Sequence, residues 1–341
     1  MKVSVVVPIY NAEKYLDASI GTLLKQTHTD IEIILVENGS TDGSLEICNR
    51  FAKSDNRIQV IHTGNIGTGA ARNLGMSKAT GEYICFLDAD DWFDTTLIEK
   101  YIESVQGRDF IICGYSAFRD DADVIDSHSF GSHVFNSASE VREYVATWFP
   151  DGRVGFTGNK FYKLSVIKEN NIQFPELSRL EDGFFNLEFF SYACSGVVIP
   201  DELYHYRLAP ASAVIQKHDE EYADLVVALT DAILEKRQEW NLSTPTDEAY
   251  KFCLNELGTS IENVFVGNWG LDYLSRKNYL VQMMLVDTYE DAIEHLELIG
   301  MYRRLLHILL GSNHLILLEL LVRVKTFGKG KLTWLYYKLK K

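Results

Sequence analysis

Three carboxylates follow a short apolar run in the first third of the chain. Tyr83–Leu87 is typical of a buried strand, and directly after it come Asp88, Asp90 and Asp91. Carboxylates this close repel one another, and a hard divalent cation such as Mg²⁺ or Mn²⁺ offsets the repulsion while leaving positions open for phosphate oxygens. The pattern therefore predicts a metal-bridged diphosphate at the end of a strand. It leaves open a solvated acidic turn that caps a helix near Thr95.

Polar residues also follow the other predicted strands. At the first junction Pro8 ends the strand, and Tyr10 could stack on a flat base, with ordinary packing in a turn as the alternative. At the second junction Glu37 and Asn38 could read the hydrogen-bonding edge of a pyrimidine. Open α/β sheets bind ligands at the carboxyl ends of their strands, so these positions together predict a binding crevice.

The third junction, residues 62–75, contains several glycines and carries Arg72 inside the helix that follows. A guanidinium there could point back to Asp88 or to a phosphate, with a surface arginine as the alternative. The dinucleotide fingerprint G-x-G-x-x-G and the phosphate loop G-x-x-x-x-G-K-S/T are both absent from the first junction. The sequence therefore matches neither of those nucleotide-binding classes.

The elements that must position these residues alternate between strand and helix patterns over residues 1–115. The predicted strands are Lys2–Ile9, Ile31–Glu37, Ile58–His62, Tyr83–Leu87 and Asp109–Tyr115. Helix-length segments with apolar residues three and four apart lie between them, at about Ala12–Gln26, Ser44–Ser54, Gly67–Ala79 and Thr95–Ser104. This alternation predicts a mostly parallel sheet with helices on both faces.

The rest of the chain has a different pattern. Residues 116–215 lose the alternation and gather Gly, Pro, Phe and Tyr. From about Lys217 the pattern is largely helical. We therefore expect an α/β domain over 1–215 and a helical region over 216–341.

Composition and charge narrow the class of protein. With 46% hydrophobic and 12% aromatic residues the chain is globular, and its formal charge of −15 argues against a nucleic-acid binder. The five cysteines have no C-x-x-C spacing, which favours reduced thiols in a cytoplasmic protein. The N-terminal apolar run is too short for a signal peptide, and no long apolar stretch predicts a spanning helix.

The last part of the sequence is basic, unlike the rest. From Met301 onward there are nine Lys and Arg and the single acid Glu319, a local net charge of +8, among many Leu, Ile, Trp and Tyr. Such a segment, which includes Trp334, Tyr336 and Tyr337, can attach a protein to an anionic membrane surface. A packed helical subdomain or a homodimer contact is the alternative.

Four segments, in their order along the chain, resemble the family 2 glycosyltransferases. They are Val3–Asn11, Glu37–Gly43, Ala70–Gly75 and Phe86–Asp91. The resemblance is dense over 1–115 and continues more thinly to about 215. It implies the GT-A fold, an α/β nucleotide-diphospho-sugar transferase fold, with 1–215 as the catalytic domain, 1–115 as its nucleotide-binding half and 116–215 as its sugar and acceptor half. It also implies inversion at the anomeric carbon of a nucleotide sugar, with Mn²⁺ or Mg²⁺ as the cofactor.

The resemblance assigns nucleotide contacts to individual residues. Pro8 and Tyr10 are similar to base-contacting positions, and Asn65 is similar to a residue that closes over the uridine. The family's usual Asp-Asp pair is replaced here by Glu37-Asn38. Its second position usually accepts a hydrogen bond from uracil N3–H, which the amide oxygen of Asn38 can also do, so uridine is still expected.

Other positions resemble the diphosphate and metal contacts of the family. Arg72 is similar to a residue that holds the aspartate motif. Asp88 resembles the aspartate near ribose and metal, and Asp90 resembles the direct metal ligand. Arg207 resembles a late residue that reaches the diphosphate, where it could neutralise charge on the leaving UDP.

The pair Glu181 and Asp182 resembles the family's pair that contains the catalytic base. Adjacent carboxylates beside a metal diphosphate raise each other's pKa, which suits a group that takes a proton from the acceptor hydroxyl. Asp182 fits the base, and Glu181 would orient the acceptor or Asp182; a charge pair at a helix N-terminus is the alternative. Asn159 and Lys160 resemble a segment near the acceptor and sugar pocket.

These resemblances imply a metal-dependent inverting glycosyltransferase of the hexosyltransferase class. It would move a hexose or N-acetylhexosamine from a UDP-sugar to a hydroxyl of a saccharide acceptor, in capsule, lipopolysaccharide or other surface glycan synthesis. A membrane-attached enzyme would fit a lipid-linked acceptor. A sugar nucleotidylyltransferase would need a Gly-rich basic loop after the first strand, which Pro8–Lys14 lacks. A non-catalytic sugar-nucleotide-binding protein is the third interpretation, and the intact carboxylates argue against it.

Overall fold

The computed structural model describes residues 1–119, 123–148, 155–208, 221–243, 245–266 and 272–325. The chain forms two units, Met1–Pro210 and Ala211–Lys341. The first contains a ten-stranded sheet with helices between its strands, and the second is helical over its described residues.

All the strands in the described residues belong to the first unit. They are β1 (Val3–Ile9), β2 (Ile31–Asn38), β3 (Ile58–Thr63), β4 (Tyr83–Phe86), β5 (Trp92–Phe93), β6 (Phe110–Arg119), β7 (Asp123–His128), β8 (His133–Phe135), β9 (Lys160–Lys163) and β10 (Gly196–Arg207). Their order across the sheet is β3-β2-β1-β4-β9-β6-β10-β5, with β7 paired to β6 and β8 to β10. β1 is parallel to β2 and β4, β2 to β3, and β6 to β10, whereas β9 is antiparallel to β4 and β6. The predicted mostly parallel sheet is confirmed.

Helices of the first unit lie against both faces of this sheet. They are α1 (Leu16–Leu24), α2 (Ser44–Ser54), α3 (Thr68–Lys78), α4 (Leu97–Val105), α5 (Ala138–Trp148), α6 (Leu164–Glu169) and α7 (Glu181–Tyr192). Val3 and Val5 of β1 share one buried cluster with Leu16 of α1. Val6 points to the opposite face, since side chains alternate along a strand, and there it meets Gly75 of α3.

Gly75 lets α3 approach the sheet closely. A Cβ atom at Gly75 would lie 2.4 Å from Cγ1 of Val6, which is too close for any real side chain. Arg72 lies one turn earlier on the same face of the helix. The close packing therefore carries the Arg72 side chain into the interior, where the residue is only 3% exposed.

The prediction that Pro8 ends the first strand is wrong, because β1 extends one residue past it. The carbonyl of Val6 accepts a hydrogen bond from the N–H of Leu87, on the β4 side. Backbone groups alternate in direction along a strand, so Pro8 points to the same side, beyond the end of β4 at Phe86. β4 therefore offers no partner for an N–H at this position, and proline is tolerated there.

The second unit consists of helices over its described residues. They are α8 (Tyr222–Glu239), α9 (Asp247–Val266), α10 (Tyr273–Met284), α11 (Asp287–Ile293), α12 (Met301–Gly311) and a last helix, α13, over 315–325. His307 of α12 joins the Leu254 carbonyl of α9 through Nε2, at 2.9 Å, and the Tyr289 hydroxyl of α11 through Nδ1, at 3.0 Å. Burial lowers the pKa of His307 to about 4, so this linking group is neutral near pH 7. No described helix is both long enough and apolar enough to cross a membrane.

Candidate active site

Asp91, the last of the three carboxylates after β4, points into the fold. Its Oδ1 accepts a hydrogen bond from the backbone N–H of Arg207 at 2.7 Å, and its Oδ2 accepts one from the hydroxyl of Tyr204. Burial, and then the charges of its carboxylate neighbours, raise the pKa of Asp91 well above its usual range. Asp91 therefore fastens the carboxylate loop to β10.

Asp88 and Asp90 remain partly exposed on this loop. Burial, and then the charge of Asp88, raise the pKa of Asp90 to about 6. Neighbouring carboxylates suit a hard divalent cation, whose positive charge offsets their mutual repulsion. Among the described residues no group of three or more His, Cys, Asp or Glu is placed to hold an ion. Mg²⁺ commonly uses one or two carboxylates together with substrate phosphates, so this pair fits an ion whose coordination the substrate completes.

The buried guanidinium of Arg72 connects this loop to the N-terminus of α7. Its Nη2 donates to Asp88 at 2.8 Å, while its Nη1 donates to Glu181 at 2.9 Å and to Asp182 at 2.7 Å. The guanidinium also lies over the ring of Phe174, 5.3 Å from the centroid. Burial alone would lower the pKa of Arg72, but the three carboxylates raise it above its ordinary value, so the group stays charged. Arg72 therefore bonds Asp88, as one of the two interpretations of the sequence predicted. It also bonds a pair of acids more than 100 residues away in sequence.

Asp182 is held on both of its carboxylate oxygens. Oδ1 accepts from Arg72, and Oδ2 accepts from the backbone N–H and the hydroxyl of Thr157, at 3.0 and 2.9 Å. Burial raises the pKa of Asp182, the charge of Asp88 adds to this, and Arg72 and Thr157 oppose it. Burial and the charge of Asp182 likewise raise the pKa of Glu181. Asp182 thus combines a raised proton affinity with a side chain that is still 16% exposed, as a general base requires.

Glu37 and Asn38, at the end of β2, have separate environments. Glu37 is fully buried; its carboxylate accepts from the backbone N–H of Ser40 at 2.6 Å and pairs with Nδ1 of His62 at 2.5 Å. Asn38 accepts a hydrogen bond on Oδ1 from the backbone N–H of Ile66 at 2.9 Å. The carboxylate of Glu37 is therefore used in bonds that stabilise the fold. Of the two residues, Asn38 is the one that can still accept a hydrogen bond from a ligand, through the second lone pair of Oδ1.

Asn65, Tyr10 and Pro8 lie at the ends of neighbouring strands. Gly39 has a φ of +74°, and a Cβ atom there would lie 2.6 Å from the backbone nitrogen of Asn65, so the loops after β2 and β3 are in contact. Asn65 is exposed, and its Oδ1 accepts from the N–H of Gly67 at 3.2 Å. Tyr10 is 49% exposed directly after β1, whereas Pro8 is buried inside that strand.

Arg207, at the end of β10, lies beside the carboxylate loop. Its guanidinium packs against the rings of Tyr15 and Trp92, 5.0 and 4.8 Å from their centroids. Its Nε donates to the backbone carbonyl of Asp90 at 2.7 Å. The residue is 5% exposed, so the two rings and this bond hold a positive charge next to the two candidate metal ligands.

The structure places Asn159 and Lys160 in the interior, both with no exposed surface. Asn159 donates through Nδ2 to the carbonyl of Cys113 at 2.7 Å. Lys160 donates through Nζ to Oδ1 of Asn159 at 2.8 Å and to the carbonyl of Phe156. Side chains without exposed surface cannot line a saccharide pocket, so these two residues instead support the turn that carries Thr157. The sequence did not indicate this, because a lysine is rarely buried.

Comparisons with known proteins give a consistent picture. Residues 4–170 match the family described as Glycosyl transferase family 2. The chain is similar to the glycosyltransferase GlyG of Streptococcus pneumoniae, with 36% identity over 66% of this chain and 77% of that protein. It is also similar to EpsH of Bacillus subtilis, with 36% identity over 67% of this chain and 66% of that protein.

Among solved structures, the chain is similar to residues 1–349 of TarS from S. aureus in complex with UDP-GlcNAc. The TM-score is 0.66, over 96% of this chain and 92% of that one, at 18% identity. At this identity the similarity shows the fold, and together with the family match it confirms the expected GT-A architecture with its C-terminal helical region.

The Arg72 contacts generate a prediction about stability. Replacing Arg72 by Met should lower the free energy of unfolding at pH 8 by about 3–5 kcal/mol, because three carboxylates lose their buried counter-charge. The matched control is Arg50→Met, whose pair with Asp17 is more than half exposed and should contribute no more than about 1 kcal/mol. Urea unfolding of the three proteins measures this.

The loss in Arg72→Met should shrink as the pH falls toward 5, since protonation of the raised-pKa acids removes the unpaired charge. Equal losses in the two variants, or a loss in Arg72→Met that does not depend on pH, would contradict a central role for the guanidinium.

Proposed function

Because the chain belongs to glycosyl transferase family 2, we propose that it moves a hexose or N-acetylhexosamine from a UDP-sugar to a hydroxyl of a saccharide acceptor, with inversion at the anomeric carbon. The observation that carries this proposal is that Asp88 and Asp182 accept hydrogen bonds from the two terminal nitrogens, Nη2 and Nη1, of the Arg72 guanidinium, at 2.8 and 2.7 Å. A donor-side carboxylate and a base for the acceptor are thereby held side by side. The solved TarS complexes with UDP and UDP-GlcNAc support the choice of a UDP-sugar donor.

In the proposed reaction the acceptor oxygen attacks C1 while the bond from C1 to the diphosphate oxygen breaks. Asp182 takes the hydroxyl proton, and UDP leaves with the bonding electron pair. Burial of Asp182 increases its affinity for that proton. Arg72 and Thr157 fix the plane of its carboxylate, so the base needs little reorientation during the reaction. Glu181 shares Arg72 with Asp182 and would orient the acceptor beside it.

Asp90, with Asp88, would hold Mn²⁺ or Mg²⁺. When bound, such an ion supplies a positive charge that stabilises the departing diphosphate. Arg207 adds a second positive charge at this loop, held in place by Tyr15 and Trp92.

The uracil ring would lie against Tyr10, near Pro8 and Asn65. Asn38 has one lone pair of Oδ1 engaged by Ile66 and a second that can accept from uracil N3–H. Since the amide carries no charge, uridine selection here rests on hydrogen-bond geometry.

The test is release of UDP from a set of UDP-sugars, UDP-GlcNAc included, in the presence of Mn²⁺. Release should stop with EDTA and in Asp90→Ala. Asp182→Asn should lower the rate by about two to four orders of magnitude, the usual effect of losing a general base, and Glu181→Gln should lower it less. Asp30→Asn, a substitution at an exposed carboxylate, is the matched control and should leave the rate unchanged.

Pyrophosphate release would identify a nucleotidylyltransferase instead, and binding without any turnover would identify a non-catalytic protein. A larger loss in Glu181→Gln than in Asp182→Asn would move the base to Glu181. Full activity with EDTA would overturn the metal assignment.

We further propose that residues 216–341 attach the enzyme to an anionic, cytoplasmic membrane face, where a lipid-linked acceptor would be available. The last two helices expose apolar side chains at helical spacing, namely Met301, Leu305 and Ile308 on α12 and Ile316, Leu320 and Val324 on α13. Their opposite sides are also apolar and buried, as at Leu306 and Leu318. A row of exposed apolar side chains on a helix normally marks a surface that another partner covers.

The basic end of the sequence continues from these helices. Residues 326–341, which lie outside the described residues, contain five lysines and no acid, together with the predicted interfacial aromatics Trp334, Tyr336 and Tyr337. Each lysine near an anionic leaflet contributes about 1 kcal/mol of attraction. This combination supports a lipid surface over a second copy of the chain.

The full chain should therefore sediment with anionic phosphatidylglycerol vesicles and not with neutral phosphatidylcholine vesicles, and raised salt should weaken the binding. Changing the five lysines of 326–341 to Gln should abolish it. The matched control carries the same charge change on exposed lysines of the first unit, Lys14, Lys25, Lys53, Lys78 and Lys100. If both variants behave alike, the membrane proposal fails, and concentration-dependent dimerisation would then support the contact between copies.

A further inference from the structure

Thr157 contacts Asp182 in a way that fixes one of its oxygens. Both donors of this residue, the backbone N–H and the hydroxyl, point at Oδ2, at 3.0 and 2.9 Å. Arg72 occupies Oδ1 at 2.7 Å. A carboxylate bonded on both oxygens from two different elements cannot rotate freely, and its remaining lone pairs point in set directions.

Thr157 is itself held by groups that belong to β9 and α7. The carbonyl of Phe156 accepts from Nζ of Lys160 and from Nδ2 of Asn186, the latter at 3.3 Å. The backbone N–H of Lys160 donates to the carbonyl of Thr157 at 3.2 Å. Asn186 in turn accepts on Oδ1 from the hydroxyl of Tyr162 at 2.6 Å.

Asn186 lies four residues after Asp182, on the same helix. Helix α7 therefore carries Asp182 and, one turn later, also holds the turn that points Thr157 at it. Helix α7 therefore positions both Thr157, which donates the two hydrogen bonds, and Asp182, which accepts them. A residue that is 1% exposed and bonded in this way has little freedom to exchange its partner for water.

We propose that Thr157 is a positioning residue for transfer, which holds the Asp182 carboxylate so that a free lone pair faces the acceptor hydroxyl. This inference rests on the proposed role of Asp182 as the base. Thr157 acts through Asp182 and touches neither donor nor acceptor. The turn that Lys160 and Asn186 stabilise places Thr157 against Asp182.

The hydroxyl of Thr157 has two separable effects on Asp182. It orients the carboxylate, and it stabilises the ionised form, since an O–H donor bonds a carboxylate more strongly than a carboxylic acid. Among the described residues, Glu181, Arg72, Asp88 and Tyr162 also interact electrostatically with Asp182, and the substitution of Thr157 leaves all four side chains in place. Loss of the hydroxyl should therefore lower kcat and shift the acidic limb of the pH profile upward.

The experiment compares Thr157→Val, which is nearly isosteric and lacks the hydroxyl, with Thr157→Ser, which keeps it. UDP release from UDP-GlcNAc with Mn²⁺ and water as the acceptor is measured across pH 5–9. For Thr157→Val we expect kcat to fall about 10- to 100-fold, KM for the donor to stay the same, and the acidic limb to move to higher pH. Thr157→Ser should restore kcat and the limb. Thr157→Ala replaces the valine variant if that protein does not fold, as judged by its thermal unfolding midpoint.

Wild-type kcat and an unshifted limb in Thr157→Val would overturn the proposal, as would equal losses in the valine and serine variants. Asp182→Asn is measured in parallel. Loss of turnover in Asp182→Asn without an effect in Thr157→Val refutes the positioning role alone. Full turnover in Asp182→Asn refutes the base assignment, and the positioning role with it.

Discussion

One buried positive charge organises this site. The guanidinium of Arg72 binds Asp88 through one nitrogen and the pair Glu181 and Asp182 through the other. Three acids so close together would repel one another strongly without it. Since burying a charge is costly unless it is paired, Arg72 and the acids stabilise their positions mutually, and removing either side leaves the other uncompensated.

This constraint explains why the surrounding elements are arranged as they are. Arg72 reaches the acids from the interior because Gly75 lets α3 lie close to Val6 of the sheet. Asp91 and Tyr204 tie the carboxylate loop to β10, which places Arg207 beside it. On the other side, α7 begins at Glu181, so both acids project from the first turn of a helix. In the proposed function, groups on the donor side and on the acceptor side thus share one rigid centre.

The sequence was informative where local pattern decides structure. Alternating strands and helices, with polar residues at strand ends, predicted the sheet and the place of Asp88 and Asp90. Pattern was less informative where tertiary packing decides. Glu37 and Asn38 are adjacent polar residues and both are buried, yet the Glu37 carboxylate pairs with His62 whereas Asn38 accepts from the N–H of Ile66, and only the neighbouring strand and its loop determine that. Thr157 lies 25 residues before Asp182, in a turn without a motif, so nothing in its spacing indicated the contact. Lys160 is buried because backbone and amide oxygens surround its ammonium group.

In the proposed function, Arg72 holds a donor-side acid and the base on either side of the reacting carbon. A crystal structure with Mn²⁺ and an unhydrolysed UDP-sugar tests this directly. The Arg72 bonds to Asp88 and Asp182 should persist in this complex, with Asp88 on the diphosphate side and Asp182 facing C1 from the side opposite the leaving oxygen. The nearest oxygen of Asp182 should leave room for the acceptor hydroxyl between itself and C1, and it should lie within hydrogen-bond distance of that hydroxyl. A complex in which Asp182 lies on the diphosphate side of C1, or in which Arg72 no longer bonds Asp182, would contradict this role of Arg72.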